Sequence, residues 1–321
     1  MTGIAILGAG AFGTALAIAW ARAGTPVALI ARDAEEAARI DTARENARRL
    51  PGAQLPRGVT VTADPAAIAG AEAVVLTVPM QRLSRALAAV PDLGTAPLVA
   101  ACKGVDLATL RGPTAILAEA RTQGPHAILT GPSFAADIAR GLPTALTLAC
   151  ADDAAGAALQ PLLSTPVLRL YRTADVTGAE LGGALKNVVA IAAGVTIGAG
   201  LGDSARAALM TRGYAEMVRL ALALGARAET LAGLSGFGDL VLTCTSAQSR
   251  NFRYGCALGK GEAFGEDVTV EGAATARAVA RLASGHGIDM PITATVAALA
   301  EGRITPQNAM AALMARPLKE E

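Results

Sequence analysis

Residues 3–7 are a short apolar run that leads directly into Gly8-Ala9-Gly10-Ala11-Phe12-Gly13, and an alanine-rich stretch from Phe12 to Ala23 follows. A Gly-x-Gly-x-x-Gly turn closing a strand and opening a helix is the fingerprint of a dinucleotide-binding βα unit. Each glycine has a separate physical task. Gly8 permits the tight turn, Gly10 lets the backbone approach a pyrophosphate, and Gly13 lets helix and strand pack closely. The phosphates would then meet the positive N-terminal end of the helix. A plain glycine-rich βα turn is the alternative, and the strand-turn-helix context favours the dinucleotide.

The rest of the chain agrees with such a start. Residues 26–31, 73–78, 97–101 and 127–130 are apolar runs of strand length, with helical stretches at 81–90 and 113–122 between them. Strands alternating with helices imply parallel βαβ units in a doubly wound sheet. Residues 144–150 and 166–171 continue this β-rich half. After Asp175 the pattern changes to long Ala/Leu-rich segments at helical spacing: 176–199, 205–224, 272–285 and 292–301. The expected architecture is therefore an α/β Rossmann domain with a mostly parallel sheet, residues 1–175, followed by an all-α domain, residues 176–321. A length of 321 residues suits two domains, since one core rarely grows past about 250–300 residues.

Composition removes several classes of function. The net charge of +1 argues against nucleic acid as a partner. The charge-free stretch from Asn187 to Gly202 is shorter than the roughly 18–20 apolar residues of a bilayer span, so no integral membrane segment is expected. The N-terminus lacks the basic region of a signal peptide. Cys102, Cys150, Cys244 and Cys256 are far apart and form no CxxC pair. Free thiols in a cytoplasmic protein, without a metal site, are the simplest account.

At the end of the second strand, Ala31-Arg32-Asp33 offers two ways of reading a cofactor ribose. An acid about 20 residues past the glycines selects NAD through the ribose hydroxyls, whereas an arginine accommodates the 2′-phosphate of NADP. Asp33-Ala34-Glu35-Glu36 also has the form of a capping box. Capping is favoured for Asp33 and cofactor contact for Arg32, which leans toward NADPH with NADH as the alternative.

Lys186 is the most informative side chain of the second half. It is the only charged residue between Leu181 and Gly202. If buried, it is an available proton donor or acceptor; if it snorkels, it is a surface lysine. Asn187 beside it either orients a partner or sits on a polar face. His126 and His286 read as loop residues, so lysine is the remaining acid–base type. Lys103, just past a strand, lies at the carboxyl edge of the sheet where ligands bind, or is an ordinary solvated lysine. Gly131-Pro132-Ser133-Phe134-Ala135 leads from a strand into a helix, as an anion site or a simple cap. Residues 243–251, including Thr243, Ser249, Arg250 and Asn251, read as a polar loop after a glycine-rich turn from Gly233 to Asp239. Hydroxyls, an amide and an arginine suit a phosphate, and a solvated loop is the alternative. Glu271 ends a β-like Val-Thr-Val-Glu-Gly or serves as a helix N-terminal acid.

These motifs in this order resemble the bacterial-type NAD(P)-dependent glycerol-3-phosphate dehydrogenases. The matching segments are GAGAFGTALA (8–17), NARRLPG (46–52), CKGVD (102–106), GPSFA (131–135), ALKNVVAIAAG (184–194), ARAALMTRG (205–213), GLSGFGDLVLTCTSAQSRN (233–251) and VEG (270–272). The resemblance implies that Lys186 is the proton donor/acceptor. It implies substrate contacts at Lys103, Gly131, Ser133, Asp239, Ser249, Arg250 and Asn251. Beyond the glycines, it implies cofactor contacts at Phe12, Arg32, Lys103, Ala135, Arg250, Thr269 and Glu271. The family reduces dihydroxyacetone phosphate to sn-glycerol 3-phosphate for phospholipid synthesis, in the cytoplasm and commonly as a homodimer. This sequence departs from the family at Ala11 (commonly Ser), Phe12 (Trp or Tyr), Cys102 (Ser or Thr) and Ser204 (Asn). A related dehydrogenase for another small phosphate or acid, and a non-catalytic NADP(H) sensor, are the competing readings. A sensor would tolerate loss of Lys186 and of Ser249-Arg250-Asn251, and all four residues are present.

Overall fold

The computed structural model describes residues 3–265 and 269–314, with side chains described through Ala312. The chain divides into two compact units: one of residues 1–103 and 111–180, the other of residues 104–110 and 181–321.

The first unit runs β1 (Ile4–Leu7), α1 (Ala11–Arg22), β2 (Val27–Ile30), α2 (Ala34–Ala43), β3 (Val59–Thr62), β4 (Ala73–Leu76), α3 (Leu83–Ala88) and β5 (Leu98–Ala100). It continues with α4 (Pro113–Ala120), β6 (His126–Thr130), α5 (Ala135–Arg140), β7 (Thr144–Cys150), α6 (Asp153–Leu163) and β8 (Leu168–Thr173). The eight strands form one sheet in the order β3-β2-β1-β4-β5-β6-β7-β8. All neighbours are parallel except β6 and β7. Reversal of strand order about β1 and β4 is the doubly wound pattern.

Alternation along each strand builds a core on both faces of the sheet. In β1, Ile4 and Ile6 pack with Leu16 and Trp20 of α1, whereas Ala5 and Leu7 pack with Leu83 and Leu87 of α3 and Leu117 of α4. Trp20 is fully buried and its indole N–H donates to Leu163 O at 2.8 Å, so the largest core side chain satisfies its one polar atom.

The second unit contains most of α7 (Val176–Gly198), together with α8 (Gly202–Ala223), α9 (Ala228–Ala232) and a π-helical turn (Leu234–Gly238). It ends with α10 (Asp239–Thr245), α11 (Arg250–Lys260), α12 (Glu271–Gly285), α13 (Pro291–Ala300) and α14 (Pro306–Met314). Helix α7 is apolar on every side because it is the core of this unit. Leu185 and Val189 pack into one cluster and Val188 and Ile191 into another. By length and composition it is apolar enough to cross a membrane, but 89% of its apolar window is buried within the fold, as expected of a core helix.

Glycine allows α7 and α11 to approach backbone to backbone. A Cβ on Gly194 would stand 2.1 Å from Phe252 O, and one on Gly255 would stand 2.1 Å from Ile191 O. Gly198 and Gly259 repeat the close approach one turn further on.

Some local expectations need correction. Strand β3 and helix α6 are not among the expected elements, whereas the helix expected after Gly131–Ala135 is α5. Val59-Thr60-Val61-Thr62 alternates valine with threonine rather than forming a continuous apolar run, and it becomes a strand by pairing with β2. Residues 81–90 are a 3₁₀ turn at Met80–Arg82 followed by the shorter helix α3. The expected turn and loop at 233–251 are largely helical, leaving only residues 246–249 between α10 and α11. Tertiary packing decides this, since Gly182 lies against Ser235 O and Gly236 against Leu231 O, where no Cβ would fit. The β-like run before Gly272 is not a strand at Thr269 and Val270, and Glu271 is the first residue of α12; Val268 lies outside the described residues. His126 opens strand β6 rather than lying in a loop, and His286 is the C-cap of α12.

Candidate functional site

In the first unit the glycine turn is shaped by contacts that exclude side chains on one side and leave space on the other. Gly8 has φ +122°, and a Cβ there would crowd Thr77 Oγ1 at 2.9 Å. A Cβ on Gly13 would lie 2.2 Å from Gly8 O, so helix α1 and the turn touch directly. A Cβ on Gly10 would meet nothing within 4 Å. Gly10 is the N-cap of α1 without a side-chain cap, and no acid occupies the first turn. The first N–H groups of the helix are thus left for an anion. This cradle fits the pyrophosphate of a dinucleotide. Phe12 is half-buried in the same first turn. Thr77 completes the turn by donating from Oγ1 to Gly8 O at 2.7 Å. In the sequence, the only signal of Thr77 is a hydroxyl residue just past β4.

At the end of β2, Arg32 is exposed and donates from Nε to Asp33 Oδ2 at 3.0 Å. Asp33 is the N-cap of α2, accepting from Glu36 N at 2.8 Å. That backbone bond first, and Arg32 second, hold the Asp33 carboxyl below its usual range.

Three further residues meet at one carbonyl. Lys103 Nζ donates to Gly131 O at 3.1 Å, and Ser133 Oγ donates to the same oxygen at 3.2 Å. Gly131 needs its glycine: φ is +135°, and a Cβ would press on Leu146. Ala135 follows as the first residue of α5. The fold thus gathers Lys103 from the segment after β5 with Gly131 and Ser133 from the turn after β6.

In the second unit the feature with the most chemistry is buried. Lys186 of α7 donates from Nζ to Asp239 Oδ1 at 2.9 Å and to Thr243 Oγ1 at 2.6 Å. Thr243 in turn donates to Asp239 Oδ1 at 3.2 Å. Lys186 is 7% exposed and Asp239 only 1%, so the snorkelling alternative is excluded. A lysine in an apolar helix is tolerated here because a carboxylate and a hydroxyl satisfy it. Asp239 is supplied by the first turn of α10, directly after the π-helical turn that reorients the backbone. π turns of this kind are frequent at functional sites. Cys244 lies in the same interior, and burial pushes its thiol up to about 12, with the Lys186 charge opposing and the Asp239 charge adding to the shift.

A second set of polar groups links the starts of α11 and α12 to the middle of α7. Asn251 Nδ2 donates to Asn187 Oδ1 at 2.9 Å, and Asn251 Oδ1 accepts from Gly272 N at 3.0 Å. Ser249 caps α11 by accepting from Phe252 N at 3.2 Å. Arg250, first residue of α11, is exposed, as is Thr269. Glu271 opens α12 next to Gly272 and is half-buried. Asn187, whose role the sequence left open, is therefore an internal partner of Asn251. Among the described residues no cluster of three or more metal-ligating side chains occurs.

Residues 3–156 match the family model described as NAD-dependent glycerol-3-phosphate dehydrogenase N-terminus, and residues 175–311 match the one described as the C-terminus of the same enzyme. A glycerol-3-phosphate dehydrogenase [NAD(P)+] from Cereibacter sphaeroides is 65% identical over 99% of this chain and 100% of its own. One from Paracoccus denitrificans is 62% identical over 99% of both chains. The crystal structure of glycerol-3-phosphate dehydrogenase from Coxiella burnetii superposes with a TM-score of 0.92 at 37% identity, covering 98% of each chain.

Proposed function

Since this chain belongs to the NAD-dependent glycerol-3-phosphate dehydrogenase family, we propose the following division of labour for its residues. The reaction is the reversible NAD(P)H-dependent reduction of dihydroxyacetone phosphate to sn-glycerol 3-phosphate. Either NADH or NADPH serves the family, and the bound nicotinamide supplies the hydride that reaches C2.

The residues of this chain supply everything else. Reducing a ketone leaves an alkoxide that needs one proton. Lys186 gives that proton to the C2 oxygen and takes it back in the reverse direction. Asp239 and Thr243 fix the direction of Nζ. Arg250 and Asn251, with Ser249 beside them, hold the substrate phosphate, and a planar guanidinium suits its oxygens. Lys103, Gly131 and Ser133 form the substrate-binding part contributed by the Rossmann half, with Lys103 serving the cofactor as well. Gly8, Gly10, Gly13, Phe12, Ala135, Thr269 and Glu271 are the remaining cofactor contacts. In this reading residues 1–175 are the cofactor domain and residues 176–321 the catalytic domain.

Arg32 is assigned to the 2′-phosphate, which gives a preference for NADPH. Its partner Asp33 is already committed to capping α2, which supports this choice. The enzyme acts in the cytoplasm, in accord with its four free cysteines. It acts as a homodimer and feeds glycerophospholipid synthesis.

The buried triangle of Lys186, Asp239 and Thr243 carries the mechanistic reading. The test is absorbance at the reduced-nicotinamide band with dihydroxyacetone phosphate, run in parallel with NADH and NADPH. Lys186→Ala should abolish turnover while cofactor binding persists; near-normal turnover would reject the role of Lys186. Arg32→Ala should lower the affinity for NADPH and leave that for NADH, and an equal effect on both would reject the 2′-phosphate assignment.

A further inference from the structure

The segment Asn46 to Gly52 has no part in the roles assigned so far. Asn46 follows α2 by way of Arg44, which turns the chain with φ 49°. Its side chain is fully buried. Asn46 Nδ2 donates to Ala9 O at 2.9 Å and to Thr14 Oγ1 at 2.9 Å. An amide NH2 has two hydrogens, so both are committed to the glycine turn and the first turn of α1. The Ala9 carbonyl only accepts, which fixes which end of the amide faces it. Asn46 Oδ1 is buried without a hydrogen-bond partner. A leucine would fill comparable space without leaving an unpaired acceptor, so packing alone does not account for an asparagine here.

The contact has a geometric consequence. In a trans peptide the C=O and N–H point in opposite directions. Drawing Ala9 O toward Asn46 therefore sets the direction of the Gly10 N–H in the same peptide plane. That N–H stands at the N-terminus of α1, beside the open side of Gly10.

We propose that Asn46 is a positioning residue for cofactor binding, acting through the Ala9 carbonyl and the Thr14 hydroxyl to hold the glycine turn in the form that receives the pyrophosphate. The inference rests on the reading that this turn binds the dinucleotide. The decisive readout is the Kd of NADPH and of NADH without substrate, from the fluorescence of the reduced nicotinamide, set beside kcat at saturating cofactor and Tm. Asn46→Asp keeps the size of the side chain and loses both donors. Asn46→Leu removes the polar group. Both should raise Kd for the two cofactors by about tenfold, the scale of one lost hydrogen bond, while kcat at saturation changes little. Unchanged Kd with only a lower Tm would overturn the proposal. If neither variant folds, Thr14→Val decides: a raised Kd supports the clamp and an unchanged one rejects it. Gly10→Val separates the role of the turn from the role of Asn46. If it leaves Kd unchanged, the reading of the turn itself fails. If it abolishes binding while the Asn46 variants do not alter it, only the role of Asn46 fails.

Discussion

Asp239 Oδ1 lies 2.9 Å from Lys186 Nζ, and the two residues face each other in an interior that excludes nearly all solvent. A charge pair this deep is costly to leave half-made. Removing one partner of a buried pair costs about 3–5 kcal/mol, whereas replacing both with apolar groups is often neutral. Lys186→Met should therefore lose both turnover and stability. The double variant Lys186→Met with Asp239→Leu should recover much of the stability and none of the turnover. Urea unfolding and the nicotinamide absorbance assay report the two quantities separately.

The interface between α7 and α11 has no room for a methyl group. Gly194→Ala would place Cβ 2.1 Å from Phe252 O, far inside van der Waals contact. Overpacking of this kind costs about 1–3 kcal/mol or more. A lowered Tm is expected, with kcat reduced as well, because α7 carries Lys186 and α11 begins at Arg250. A Tm equal to that of the parent would mean the helices separate without penalty.

Glu216 gives the stability of the second unit a defined pH dependence. Its carboxylate is buried and accepts from Ile292 N at 2.7 Å and Thr293 N at 3.2 Å, capping α13. Burial raises its pKa above the usual carboxylate value, with those bonds opposing in part. A raised pKa means that the folded state binds the proton more tightly than the unfolded state. The resulting contribution is full below the unfolded pKa and is lost as pH rises through the folded one. Tm should thus fall with rising pH across that window, and Glu216→Gln should flatten the slope. An identical slope in the variant would assign the effect elsewhere.

Cys244 should be inert in the folded enzyme. The thiolate is the reactive form, and burial beside the Lys186–Asp239 pair pushes this thiol up to about 12. Alkylation at pH 8 followed by peptide mass spectrometry should find Cys244 unmodified in native protein and modified after denaturation. Labelling at the native stage would show that the interior opens around Lys186.

Much of the fold was legible because local pattern reports local geometry. The glycine turn between β1 and α1, the short apolar runs of β1, β2, β4 and β5, and the long helices α7 and α8 follow from periodicity and from the steric needs of glycine. What local pattern misses is structure imposed from a distance. Val59-Thr60-Val61-Thr62 is a strand because β2 lies beside it. The residues from Leu234 to Thr245 look like a loop because they are glycine-rich and polar, yet they coil where α7 packs against them at Gly182.

By itself the sequence determined that a Rossmann half precedes a helical half, that Gly8, Gly10 and Gly13 shape a tight turn between β1 and α1, and that one lysine is the only charge in a long apolar stretch. These are properties of neighbours along the chain. Only the tertiary structure decided what that lysine meets, because Asp239 and Thr243 lie 53 and 57 residues away in sequence. It likewise decided that Asn46 reaches back 37 residues to Ala9. Sparse polar groups in an apolar interior carry no periodic signal, and each must find a partner wherever the path of the chain places one.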